Sequence, residues 1–131
     1  LFMFSMPEEA PPKVAACARF AGPRRGVLYV VIEQAMLPAL AANMLGADDG
    51  APPTSDQQAD AFRELANVIC GNLLPLIAGA DAEFRIEAPE VFLDGCFPDA
   101  PTESLAARAV VHLDTGAAEL ELYMDHPPAN A

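Results

Sequence analysis

An α+β fold, with helices segregated on one side of a mainly antiparallel sheet, follows from three features of this 131-residue chain. Its elements run strand, strand, helix, helix and then strands, an order that lacks the strict strand–helix alternation of a parallel sheet. Short turn sequences join neighbouring strand-like runs, as in antiparallel hairpins. A long helical segment over residues 54–78 carries one apolar stripe, suited to lying on one face of that sheet. Apolar residues make up 53% of the chain, enough to specify a folded core. The length suits a single domain spanning 1–131.

Residues 1–12 read as the end of a truncated first helix plus a linker. Leu1-Phe2-Met3-Phe4 opens without an initiator methionine, and residues 7–12 contain three prolines that break a helix. Residues 13–20 alternate weakly and suit a strand. Gly22-Pro23-Arg24-Arg25-Gly26 is a turn, and 27–32 is a β-branched run, giving a hairpin with a loop of about five residues. Val30-Val31-Ile32 is apolar on both faces, which predicts a central, covered strand. Residues 33–45 have helical composition, with Met36, Leu37, Leu40 and Met44 at core spacing and Gly46 placed to end the helix. Pro38 then belongs in the first turn.

An acidic loop, 47–53, leads to the second helix. Thr54 or Ser55 can cap it, with Gln58 at capping-box distance from Ser55. That helix reaches about Ala78, with a kink or early end at Pro75. Residues 84–88 form a short strand, followed by Pro89 and a segment over 91–95. Residues 105–113 and 118–124 show strand periodicity around the hairpin signal Asp114-Thr115-Gly116. In the last strand Leu120 and Leu122 take one face and Glu119, Glu121 and Tyr123 the other. The tail, 126–131, is expected to fray.

The formal charge of −12, with only seven basic residues, argues against nucleic acid and against anionic membrane surfaces as partners. Nothing resembles a signal peptide, and no apolar run approaches the length of a membrane span. Cys17, Cys70 and Cys96 are odd in number and lack metal-ligand spacing, so they read as reduced, buried small hydrophobes of a cytoplasmic protein. His112 and His126 have no evident Ser or Cys partner, and no phosphate-cradling glycine loop precedes a helix. Asp48, Asp49 and Asp56 are conceivable cation ligands, but loop acids in so acidic a chain read as solvated charge, and no metal of its own is expected.

The second helix carries two opposite stripes. At about 100° per residue, Asp60, Glu64, Asn67 and Gly71 fall within roughly 60° of one another, with Phe62, Leu65, Ile69, Leu73 and Leu76 on the far side. Asn and Gly are poor helix-interior residues that a plain solvent face does not need. Glu64 and Asn67, three apart, lean toward one patch of surface. An Asn amide offers an acceptor and two donors, enough to hold a water molecule against an electrophile, and phosphoryl transfer depends on such positioning. Glu64 is better suited to pairing with a cation on a docked partner than to acting as a base beside a phosphate. On these residues alone, a functional face and a merely polar face both stand.

The same residues resemble the CheX/CheC chemotaxis phosphatases, most closely the single-motif CheX-like branch. That signature is Asp or Ser, three residues, Glu, two residues, Asn, and then a proline beyond the helix. Asp60, Glu64 and Asn67 match its spacing, and Pro89 falls within a residue of the expected place. The surrounding residues 64–71 and the ending Asn43-Met44-Leu45-Gly46 before an acidic loop are also similar. The resemblance implies a CheC-like fold and hydrolysis of the aspartyl phosphate of a CheY-type receiver domain. It implies that Asn67 aligns the attacking water, that Glu64 pairs with the receiver's lysine, and that Asp60 supports helix placement or contacts the partner. Mg²⁺ would sit on the receiver, and a homodimer is expected. Gly71, from its place on the stripe, would allow close approach of backbones. The alternatives are a non-catalytic receiver-binding module of the same fold and a structural dimer in which Glu64 and Asn67 bond to the second subunit.

Overall fold

The computed structural model describes residues 11–45, 52–79, 81–93, 101 and 103–125. The expected first-helix remnant, Gly46, most of the acidic loop with Asp48 and Asp49, Cys96, His126 and the tail lie outside these residues.

β1 (Lys13–Ala21) and β2 (Gly26–Glu33) form the first hairpin. A 3-10 turn, Gln34–Met36, leads into α1 (Leu37–Leu45), and α2 (Ser55–Ala78) follows. Two short strands, β3 (Arg85–Ile86) and β4 (Glu90–Phe92), precede the second hairpin of β5 (Ser104–Leu113) and β6 (Gly116–Met124). The sheet order is β3-β1-β2-β6-β5, with β4 also pairing β1, and every pairing is antiparallel. β2 is therefore central, as its two-sided apolar run requires: Val30 and Ile32 are buried and Val31 half-buried.

The two hairpins meet through β2 and β6, placing Leu28 opposite Leu122 and Val30 opposite Leu120. Val14, Ala16, Ala18 and Phe20 join them on the face that both helices cover, where they pack with Leu37, Leu40, Phe62, Ala66, Cys70 and Leu74. The opposite face holds a smaller cluster of Cys17, Val27 and Tyr29, flanked by Phe92 and Tyr123. Tyr29 and Tyr123 meet edge to face at 5.5 Å, the arrangement that ring quadrupoles favour. Arg24, in the first turn, donates to the Asp125 carbonyl at 2.7 Å, and the Arg25 amide donates to the Asp125 carboxylate at 3.1 Å. The densest basic pair in the sequence thus clasps the end of β6. In the second hairpin the turn is Asp114-Thr115, and Gly116 has φ +145, a conformation that L side chains rarely adopt. A Cβ there would also stand 2.9 Å from the Met36 sulfur.

Several local expectations are corrected. Pro38 does lie in the first α-turn, as expected, because a 3-10 turn over Gln34–Met36 precedes an α-helix that begins at Leu37, and its missing N–H costs nothing there. Met44 turns outward, 40% exposed. The capping box at α2 uses Thr54 and Gln57, not Ser55 and Gln58. The helix reaches Ala78 as expected and does not end early at Pro75. Of the expected strand at 84–88, only Arg85–Ile86 forms a ladder, while the Glu87 amide bonds the Arg19 carbonyl at 2.9 Å.

Leu76 is 82% exposed, not core. The fully buried row of α2 is Phe62, Ala66, Cys70, Leu74, which climbs in steps of four and drifts about 40° around the helix per step. By the last turn the sheet lies under Leu74, and Leu76 has rotated out. By length and composition α2 also meets the measure of a membrane-crossing helix, contrary to the expectation from run lengths. Here its apolar row lies on the sheet.

Two stability measurements follow. Phe62→Ala should cost about 3–5 kcal/mol in urea unfolding, whereas Leu76→Ala should stay within about 0.5 kcal/mol of the parent. Burial pushes the Cys70 thiol up to about 11. Above about pH 9 the unfolded chain releases this proton while the folded chain keeps it, so the unfolded state binds fewer protons and stability falls with rising pH. The loss between about pH 9 and pH 11 should reach about 2–3 kcal/mol, and the decline should be shallower in Cys70→Ala.

Candidate functional site

The site is built on α2, and its placement begins at the helix start. Thr54 Oγ1 accepts from the Gln57 amide at 3.1 Å, and the Thr54 amide donates to Gln57 Oε1 at 2.8 Å. This reciprocal pair satisfies two of the amides that every helix start leaves orphaned. The buried row from Phe62 to Leu74 then sets the rotation of the helix against β1 and β2. Once that row is turned inward, Asp60, Glu64, Asn67 and Gly71 must face outward, and all four are exposed.

Glu64 and Asn67 make no side-chain hydrogen bond or ion pair among the described residues. Their polar ends are open to water or to a visitor. At Gly71 an added Cβ would meet nothing within 4 Å, so the backbone there is a bare step in the helix surface. Asp60 is engaged differently: its Oδ1 lies 2.6 Å from Arg63 Nη1. Arg63 Nε also donates to the Pro89 carbonyl at 3.1 Å. Pro89 is buried in the connection between β3 and β4. The structure therefore brings Asp60 and Pro89 together through Arg63, a residue the sequence reading passed over. Its signal was available: Arg63 is the only cation on α2 and sits three positions after Asp60. An exposed ion pair of this kind contributes only about 0–1 kcal/mol by itself, so its interest lies in what it holds.

The remaining chemical candidates lie elsewhere. Cys70 is on the core side of α2, and burial raises its pKa, which disfavours the nucleophilic thiolate. Cys17 is buried on the other face of the sheet; burial raises its pKa, and the Arg19 charge only partly offsets this. His112 is exposed on β5, at the edge of the sheet away from β1. Asp56 is an exposed residue of the first turn of α2. Among the described residues no three His, Cys, Asp or Glu side chains gather closely enough to hold a metal ion.

Three cavities with volumes of about 250, 340 and 550 Å³ are lined by the sheet and its connections, and none of them is lined by a residue of α2. The Glu64–Asn67 face lies outside these three cavities and presents its side chains exposed on the helix surface. What it offers chemically is a carboxylate and a carboxamide on a rigid scaffold, both available to a second macromolecule.

Comparison with known proteins bears on the fold and the family. No curated protein matches in sequence. Among solved structures, the chain is similar to chemotaxis protein CheX from Desulfovibrio desulfuricans, with a TM-score of 0.69 at 20% identity over 88% of this chain and 77% of that one. It is similar to the CheX–CheY–BeF3–Mg complex from Borrelia burgdorferi, with a TM-score of 0.64 at 15% identity over 90% and 79%. A CheC-like protein from Shewanella oneidensis gives a TM-score of 0.62 at 20% identity over 94% and 80%. These likenesses establish the shared fold. In sequence, residues 14–101 match the family described as chemotaxis phosphatase CheX, a span that includes both helices and the whole Asp60–Pro89 motif; the chain belongs to that family.

Proposed function

We propose that this chain hydrolyses the aspartyl phosphate of a CheY-type receiver domain, with Asn67 orienting the attacking water and Glu64 anchoring the receiver's lysine. The observation that carries the reading is the exposed, unbonded Glu64/Asn67 pair on a helix whose rotation is set by core packing. Family membership supports phosphatase activity, and the Borrelia burgdorferi neighbour is itself a complex of CheX with CheY.

The mechanism follows from what the two side chains can do. The Asn67 carboxamide enters the receiver's site, and its oxygen accepts a hydrogen bond from water while its amino group donates to neighbouring acceptors. Water held in line with the phosphorus reacts without the entropy cost of finding that position. The chain supplies no nucleophile, and the Mg²⁺ that neutralises developing charge belongs to the receiver. Glu64 gives orientation, since a carboxylate and an ammonium fix one angle of approach. Gly71, without a side chain, lets the receiver backbone come close to the helix at the next turn. Cys17 and Cys70 are free thiols, which supports a reducing, cytoplasmic setting.

A homodimer also belongs to this reading. Among the described residues β5 ends the sheet, and residues 104–110 are exposed. A strand at the end of a sheet is a ready surface for a second chain.

Asn67→Ala should lower phosphate release from a phosphorylated receiver about 10²–10³-fold while leaving binding of a beryllofluoride-loaded receiver nearly unchanged. Glu64→Lys should weaken that binding instead. Unchanged turnover in Asn67→Ala refutes the assignment. Retained receiver binding with no turnover in the parent chain would favour the non-catalytic alternative.

A further inference from the structure

The family motif contains Asp60, Glu64, Asn67 and Pro89, but nothing in that pattern says how its first and last members are related. In the fold they are related by one side chain. Arg63 lies about 40° around the helix from Asn67, on the flank between the exposed stripe and the buried row. From there its Nη1 reaches Asp60 Oδ1 at 2.6 Å, and its Nε donates to the Pro89 carbonyl at 3.1 Å.

We infer that Arg63 is a positioning residue for docking of the receiver: its guanidinium couples the motif helix to the 87–89 connection and neutralises Asp60 beside the Glu64/Asn67 face. This rests on the phosphatase reading above and deepens it.

Two physical consequences define the role. The first is shape. The connection between β3 and β4 is held at one end by the Glu87 amide on the Arg19 carbonyl and at the other by β4 pairing with β1 from Glu90. Arg63 supplies the tie between them, directed at α2 itself. Two separate N–H groups of one rigid planar group serve two acceptors, a geometry a lysine ammonium on a flexible stem does not reproduce.

The second consequence is charge. α2 carries Asp56, Asp60 and Glu64 against Arg63 alone, in a chain of net charge −12. Its proposed substrate is a phosphorylated, acidic site. With Asp60 engaged by Arg63, Glu64 is left as the carboxylate of the stripe that is free to pair with a receiver cation. Without Arg63, a second unpaired carboxylate would stand one turn away and repel the phosphoryl group.

Steady-state phosphate release and backbone hydrogen exchange on the parent, Arg63→Ala and Arg63→Lys test this. Arg63→Ala should raise KM for the phosphorylated receiver about tenfold with kcat within about twofold, and should speed exchange at the amides of Glu87, Ala88 and Glu90 within residues 87–90 while α2 stays protected. Arg63→Lys should recover part of the KM loss, most visibly at low salt, but not the slow exchange at 87–90. A KM in Arg63→Ala within twofold of the parent overturns the inference. So does unchanged exchange at 87–90, or full rescue of both readouts by Lys. A fall in kcat at constant KM, with a lowered unfolding midpoint, would mark plain support of the fold and overturn it as well. No turnover in the parent refutes the phosphatase reading, and the docking role with it. Parent turnover that Arg63→Ala leaves intact refutes only the role of Arg63.

Discussion

The packing of Phe62, Ala66, Cys70 and Leu74 onto β1 and β2 is the constraint on which the rest depends. A helix can lie on a sheet at any rotation, and only its buried row selects one. Burying a side chain the size of Phe62 removes enough apolar surface to contribute about 1.5–3 kcal/mol relative to leaving it in water. Because the polar stripe lies on average about a third of a turn around the same rigid rod, the row that seals the core also aims Glu64 and Asn67. Core packing and the exposed polar stripe share one helix here, divided by face. The small residues Ala66 and Cys70, set between Phe62 and Leu74, let the helix approach the sheet closely. This seating on the sheet fixes the geometry of the outward face.

An open helix face is an unusual place for hydrolysis unless part of the site comes from elsewhere. The chain has no nucleophile poised on α2, and the three cavities described above are not lined by that helix. A carboxamide cannot by itself bind and cleave a small phosphate ester in bulk water, since nothing there excludes solvent or neutralises charge. Placed into another protein's phosphorylated pocket, the same amide needs to add only orientation. A convex surface suits that task better than a cleft. The acidic balance of the chain fits the proposed reading, in which attraction to a receiver would be confined to the Glu64 contact instead of spread over the surface. Long-range fields fade within about 8 Å at physiological salt, so an acidic chain still docks where a local ion pair and shape complementarity prevail.

Much of this was legible in the residues themselves. The α+β class, the two hairpins, the long second helix, the exposed Asp60–Glu64–Asn67–Gly71 stripe and the family were all readable, because each depends on local periodicity or on fixed spacing within one element. The misreadings have a common origin. Leu76 and Met44 satisfy helical spacing, but where a neighbouring element ends is not written in a helix's own periodicity. Thr54 and Ser55 were equal candidates for the cap until the backbone chose which side chain could reach the third amide of the helix. The 84–88 run has strand composition, yet only two of its residues find a ladder on β1.

What the sequence by itself determined was the order of elements, the division of α2 into two faces, and the identity of the polar groups on the outer one. What only the tertiary structure decided was who meets whom across long separations. β6 joins β2 and not β1; Arg24 clasps Asp125; Arg63 bridges Asp60 and Pro89, twenty-nine positions apart. Local pattern is set by side-chain period, which a linear reading can follow. Pairings between distant segments are settled only when the whole chain closes around one core, where backbone partners and buried volume must be satisfied together.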